Sequence, residues 1–361
     1  MPFNTKLLAE ICKTPGAPGF EQRVRELVMK EIKPLVDEIE VDNMGNVYAI
    51  KKGVSKENKN AKSADGRTKI MIGAHMDEIG FMVSHIDEKG FLRFHPLGGF
   101  DPKTLTAQRV IIHGKKDVIG VMASKPIHVM TQEERQKVSK LTDYFIDTGL
   151  PKKEVEKLIS IGDPITRERE FIEMGNCVNS KSLDNRLAVF ILIETLRKLK
   201  NKKIPYDLYG VFTVQEEVGI RGANVASMRI NPDFGFGLDT TIAFDLPGAS
   251  EHEKITKLGE GTAIKIMDAG TICDYRMVDY MKKTADKKKI KWQAEILPAG
   301  GTDTSGIQRM THGGSIAGAV SIPTRHLHQV IEMADKDDIQ SSIELLTACI
   351  SEIDSYNWKF K

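Results

Sequence analysis

The sequence predicts an α/β protein, a mixed sheet flanked by helices and interrupted by a small β-rich insertion. Short apolar runs of strand length recur between amphipathic helix patterns, and most of these runs end in polar side chains. From about Glu78 to Phe171 that alternation gives way to strand-like pieces separated by Gly and Pro. The candidate site residues His75, Asp184, Glu216, Glu217, Asp239 and His328 lie on both sides of this stretch and none inside it, so the economical picture is one α/β domain carrying an insertion. In an open α/β sheet, ligands collect beyond the carboxyl ends of the strands, where residues distant in sequence converge.

The elements follow in order. Val24, Leu27, Val28, Ile32 and Leu35 form one stripe of a helix over Phe20–Leu35. Ile39–Lys52 reads as a hairpin turning at Asn43-Met-Gly-Asn46, and the polar Ser55–Arg67 as an exposed loop. The apolar run Lys69-Ile-Met-Ile-Gly-Ala74 then leads into His75-Met76-Asp77. Inside the insertion, strands are expected at Gly80–Ile86, Phe91–His95, Arg109–His113 and Val118–Ala123, with one helix at Gln132–Lys140. Leu183–Leu199 is a strong helix pattern opened by Ser182-Leu-Asp184-Asn-Arg186. Tyr209–Val214, Phe234–Leu238 and Ser315–Val320 are further strand-like runs, and Lys336–Ile353 is the last helix.

A chain of 361 residues can hold two domains and large cores, and its net charge of +2 gives no reason to expect nucleic acid. The basic Lys282–Lys291 stretch reads as a solvated helix face. Cys12, Cys177, Cys273 and Cys349 are scattered, which fits neither a disulfide framework nor a thiolate zinc site. With no signal-peptide pattern and no apolar run long enough to cross a bilayer, the expectation is a soluble, cytoplasmic protein without membrane partners.

The chemistry starts at Glu216-Glu217. Two adjacent carboxylates at the mouth of a buried strand are costly unless something there attracts negative charge. Neighbouring strand residues point to opposite faces, so the strand must end for both to serve one pocket, and Val218-Gly219 marks such an end. A metal centre supplies the motive: one carboxylate holds a cation while the other stays free to move a proton. His75 and Asp239 can complete one site of a metal pair, Glu217 and His328 the other, with Asp184 as a bridge. An N-cap is the competing reading of Asp184. This nitrogen and oxygen set, without thiolates, suits two divalent ions such as Zn, Co or Mn. Asp77, two residues beyond His75, is placed to orient its ring, or else is a turn residue. Glu216 is left as general base. On spacing alone either His326 or His328 serves as ligand, and spacing does not place His128. His85, His95, His113, His252 and His312 have no ligand-like company. Ala299-Gly-Gly-Thr-Asp303 reads as a ligand-facing or a plain loop. There is no Gly-x-Ser-x-Gly elbow and no Walker-type phosphate loop.

Taken together, Gly73-Ala-His-Met-Asp-Glu-Ile-Gly80, Leu183-Asp-Asn-Arg186, Val214-Gln-Glu-Glu-Val-Gly-Ile-Arg-Gly-Ala223, Gly237-Leu-Asp239, Gly300-Gly-Thr-Asp303 and Pro323-Thr-Arg-His-Leu-His328 resemble the motifs of the tetrahedral and glutamyl aminopeptidases. These are cocatalytic metallopeptidases, some of whose members carry endoglucanase or cellulase labels. The likeness runs from about residue 5 to residue 355. It implies a zinc-peptidase-like catalytic domain (1–76 and 172–361) with an inserted dimerisation domain (77–171), and dimers that build a tetrahedral dodecamer. It implies release of N-terminal residues from short peptides by a water activated between two metals. By motif position His75 and Asp239 match ligands of one metal, Glu217 and His328 those of the other. Asp184 matches the bridge, Glu216 the general base, and Asp77 the residue that orients the first histidine. His326 departs from a frequent tyrosine and Gln329 from a frequent serine. A metal-dependent deacylase, a glycoside hydrolase and a non-enzymatic assembly protein are the rival readings.

Overall fold

The computed structural model describes residues 3–54, 66–329 and 331–360. The expected loop at Ser55–Arg67 falls, over residues 55–65, outside the described residues. Four adjacent parallel strands form the centre of the main sheet: Asp207–Thr213, Lys69–His75, Phe234–Ile242 and Ile316–Arg325. Their parallel register brings their carboxyl ends to one edge, with Thr213 opposite His75 and Asp239 opposite Ser321. The hairpin Glu38–Val41 and Val47–Lys51 adds antiparallel strands on one side. Glu332–Asp335, Cys177–Ser180 and Ile172–Met174 extend the sheet on the other, and Thr262–Met267 and Trp292–Ile296 branch from it.

Helices cover both faces because these strands are apolar throughout, as buried parallel strands must be. On one face Leu183–Leu199 and Lys336–Glu352 join Thr5–Lys13, Gln22–Ile32 and Tyr275–Lys288 around the main core. On the other, Arg221–Ile230 and Asp303–Arg309 close a smaller core of Met71, Val211, Ile230 and Ile307. The basic stretch lies largely on the exposed side of Tyr275–Lys288, whose Met277, Tyr280 and Met281 face inward.

The inserted strands close into a six-stranded barrel in the order Gly80–Ile86, Leu92–Leu97, Phe145–Asp147, Asp117–Ala123, Gln108–His113 and Pro164–Arg167. It has its own core, including Phe81, Val110, Ile112 and Ile146. The fold is thus mixed α/β with a small β-barrel, as expected.

Several boundaries moved. The expected helix at Gln132–Lys140 stops at Gln136 because none of its residues is buried, so no packing supports a second turn. The first amphipathic helix spans Gln22–Ile32, with Leu35 buried beyond its end. The helices Thr5–Lys13, Lys152–Leu158 and Arg221–Ile230 were not anticipated. All four cysteines are free. Among the described residues no helix is long and apolar enough to cross a membrane.

Candidate active site

The strand Asp207–Thr213 ends two residues before Gln215, which takes a left-handed backbone (φ 54°). That break ends the alternation of faces, and both Glu216 and Glu217 line one cavity of about 440 Å³ with His75, Asp184, Asp239 and His328. The cavity lies at the carboxyl edge of the parallel strands, where α/β sheets collect their ligands.

Asp184 stands at the middle of this group. Its Oδ1 lies 3.4 Å from His75 Nε2 and its Oδ2 3.2 Å from His328 Nε2, so one carboxylate faces two imidazoles. Asp239 Oδ1 is 3.7 Å and Glu216 Oε2 3.8 Å from His75 Nε2. Glu217 Oε2 is 3.6 Å from His328 Nε2. Ligand atoms of His75, Asp184 and Glu217 all lie within 4.8 Å of one another.

The N-cap reading of Asp184 is corrected. Ser182 holds the cap position, Asp184 and Asn185 leave helical geometry, and the peptide bond between them is cis. The Asp184 amide instead donates to Glu332 Oε2 at 2.9 Å.

Each histidine turns the same nitrogen inward. His75 Nδ1 donates to the Asp77 carbonyl and His328 Nδ1 to the Gly99 carbonyl, both at 3.1 Å. A carbonyl can only accept, so in each ring Nδ1 carries the proton and Nε2 is left to face the carboxylates. His326 lies outside the cavity wall, as does the exposed His128, and this separates His328 from its neighbour where spacing did not.

The Asp77 side chain does something the sequence did not suggest. It is fully buried, and its carboxylate accepts from the amides of Glu216 and Glu217 at 3.1 Å each, staying 3.5 Å from His75 Nδ1. Asp77 therefore meets the His75 ring chiefly through its carbonyl, while its carboxylate clamps the glutamate turn.

The electrostatics of the site call for a cation. Burial pushes Glu217 up to about 8, with the Asp184 charge adding to it. Burial also drives Glu216 well above the usual carboxylate range, against the pull of His75, and raises Asp239. His328 loses affinity for protons through burial, yet Asp184 and Glu217 more than reverse this and lift it to about 10. Four cavity-lining carboxylates against two imidazoles cannot all ionise without added positive charge. Hard oxygen donors mixed with imidazole nitrogens fit a divalent transition ion.

Behind this layer stands a second one, which sequence reasoning missed. Buried Arg167, the last residue of the barrel, donates to the carbonyls of Gln329 and Lys181. Burial raises Glu332 to about 8, with the Arg167 charge working against that rise. Lys181 in turn binds Glu78, at 2.5 Å from its Oε2, with Arg186 3.7 Å from Oε1. Asp303 of the Gly-Gly-Thr-Asp segment is buried, accepts from Thr213 Oγ1 at 2.5 Å, and is raised by burial to about 7.

The chain is similar to known proteins along most of its length. The sequence model of the M42 glutamyl aminopeptidase family matches residues 45–345. A putative aminopeptidase of Acetivibrio thermocellus is 38% identical over 345 residues, 95% of this chain and 97% of that one. The solved aminopeptidase APDkam598 from Desulfurococcus kamchatkensis superposes with a TM-score of 0.89 at 39% identity, covering 96% of this chain and 94% of that one. The Pyrococcus horikoshii TET1 peptidase, described as assembling into a tetrahedron or a large octahedral shell, gives 0.85 at 29% identity, over 97% and 100%. With the family's sequence pattern running through both halves of the sheet and the barrel between them, this chain belongs to the M42 glutamyl aminopeptidase family.

Proposed function

We propose that this chain is a dinuclear metal-dependent aminopeptidase releasing N-terminal residues from short peptides. One observation carries the reading: the two oxygens of Asp184 each face a different histidine, at 3.4 and 3.2 Å. His75 and Asp239 would hold one divalent ion, Glu217 and His328 the other, with Asp184 shared between them. Zinc or cobalt suits the donor set, and manganese is the third candidate. Such ions, when bound, polarise a carbonyl and acidify a water.

The chain's own residues do the rest. Glu216 lines the cavity, where as a carboxylate it can take a proton from the nucleophile and release it to the departing amine. Asp77 fixes the backbone of Glu216 and Glu217, which sets where that base stands. The site's carboxylates attract the substrate's free α-ammonium, which favours an exopeptidase.

We also assign residues 1–76 and 172–361 to catalysis and the inserted 77–171 to dimerisation. The insertion exposes the large apolar side chains Ile119, Val121, Ile127 and Val129, which a second copy could cover. Dimers would then build a dodecamer in the cytoplasm. Chelator treatment followed by addition of Zn, Co or Mn tests the enzymatic reading. Hydrolysis of aminoacyl-p-nitroanilides should vanish and return, with β-glucans untouched throughout. Chelator-insensitive turnover, or β-glucan cleavage, would overturn it.

A further inference from the structure

We propose that the chamber beside the metal centre accepts an uncharged N-terminal side chain, and that Glu295 and Asp268 close it to charged ones by engaging Lys265. The inference rests on the aminopeptidase reading above and adds the substrate class.

Besides the carboxylate cluster, the cavity is lined by Ile220, Ile242, Leu297 and Leu327, and by Lys265. Among the described residues Lys265 is the one lysine or arginine in that wall. An ammonium in such a place would ordinarily select an acidic side chain. Here it is already bound. Its Nζ lies 2.9 Å from Asp268 Oδ2 and 3.4 Å from Glu295 Oε1, and its side chain is only 1% exposed.

The arrangement is built into the sheet. Lys265 and Glu295 are direct partners on neighbouring parallel strands, so their side chains share a face. Thr241 Oγ1 donates to the same Glu295 oxygen at 2.7 Å, and the Gly270 amide holds the other oxygen of Asp268 at 2.8 Å. Burial alone would strip the proton from Lys265, but Glu295 and Asp268 outweigh it and keep the ammonium charged.

The wall therefore presents one ammonium, already held by two carboxylates outside the lining. An acidic side chain would compete with both carboxylates for a donor set already in use. A basic one would meet the Lys265 ammonium first, because Asp268 and Glu295 lie behind it and form no part of the wall. Either charge would lose its water without gaining a partner, a cost that an apolar side chain against Ile242 and Leu297 avoids.

The test is kcat/KM on a panel of Leu-, Met-, Glu-, Asp-, Lys- and Arg-p-nitroanilides with metal-loaded enzyme. Leu and Met should lead, with the charged members lower by about tenfold or more. A panel led by Glu, Asp, Lys or Arg overturns the proposal and leaves the aminopeptidase reading intact. No turnover on any member removes both. Glu295→Gln frees Lys265 from one carboxylate and should raise the Glu-to-Leu ratio of kcat/KM by about tenfold. Asp268→Asn provides a second variant with the same expected direction. Loss of folding would move both substrates together, so an unchanged ratio in both variants overturns the role given to these carboxylates.

Discussion

Asp77 and Glu216 are tied main chain to side chain: the Glu216 amide donates to Asp77 Oδ1 at 3.1 Å, and the next amide along donates to Oδ2 at the same distance. The residue two beyond the strand's histidine thereby fixes the turn that carries the proposed base. Replacing Asp77 by Asn puts an NH2 group against one of these N–H donors, so one pairing becomes a clash of like dipoles. Asp77→Asn should lower kcat by about 10–100-fold, the usual effect of losing a group that positions a metal ligand. Steady-state kinetics beside metal analysis would check it. Unchanged kcat would show that the clamp is incidental.

Glu216 itself offers a cleaner separation. It is placed to move a proton and is not needed to hold an ion, so Glu216→Gln should keep the fold and the bound metals. Turnover should fall by about 10²–10⁴-fold. Kinetics and elemental analysis of one preparation decide the matter. Full activity in this variant would remove Glu216 from the mechanism.

The two neighbouring histidines make opposite predictions. His328 faces the Asp184 and Glu217 carboxylates at 3.2 and 3.6 Å, whereas His326 is no part of the cavity wall. His328→Ala should lose about one metal ion of two per chain, and His326→Ala neither. Metal loss in His326→Ala, with none in His328→Ala, would reverse the assignment.

Why the sequence showed one layer of the site and hid the next has a physical basis. His75, Glu216, Glu217 and Asp239 each lie in or just beyond an apolar run, and a charged group in that setting is conspicuous because burying it is costly. Gly99 contributes only a carbonyl to His328, and a backbone group leaves no mark in composition. Arg167 lies within the insertion, whose texture shows strands but not that one of them ends against the His328 loop. Glu332, four residues beyond His328, carries no periodic signal at all, since its partner is the amide of Asp184, distant in sequence. The fold follows the same division. Buried strands and the long helices announce themselves by period. Arg221–Ile230 does not, because it starts beside a left-handed Ile220 and packs through small residues such as Gly222, Ala223 and Ala226.

The barrel's attachment to the sheet domain gives a prediction in pH. Arg23, on the helix Gln22–Ile32, grips Asp117 of the barrel with two bonds of 2.7 Å, and His113 Nδ1 adds a third at 2.9 Å. The Arg23 guanidinium holds the Asp117 carboxyl down at about 2, against an ordinary value of 3.8. A carboxylate with a depressed folded-state pKa stabilises the protein fully above its unfolded value, and that contribution fades as pH falls toward the folded one. Asp117 is half-exposed, so solvent screens the pair, and Asp117→Asn should cost only about 1 kcal/mol at pH 6. The gap between parent and variant should narrow steadily from pH 5 toward pH 3. Urea unfolding of both chains across that range measures it. A gap that stays constant, or widens, would mean that the ion pair does not couple the barrel to the helix.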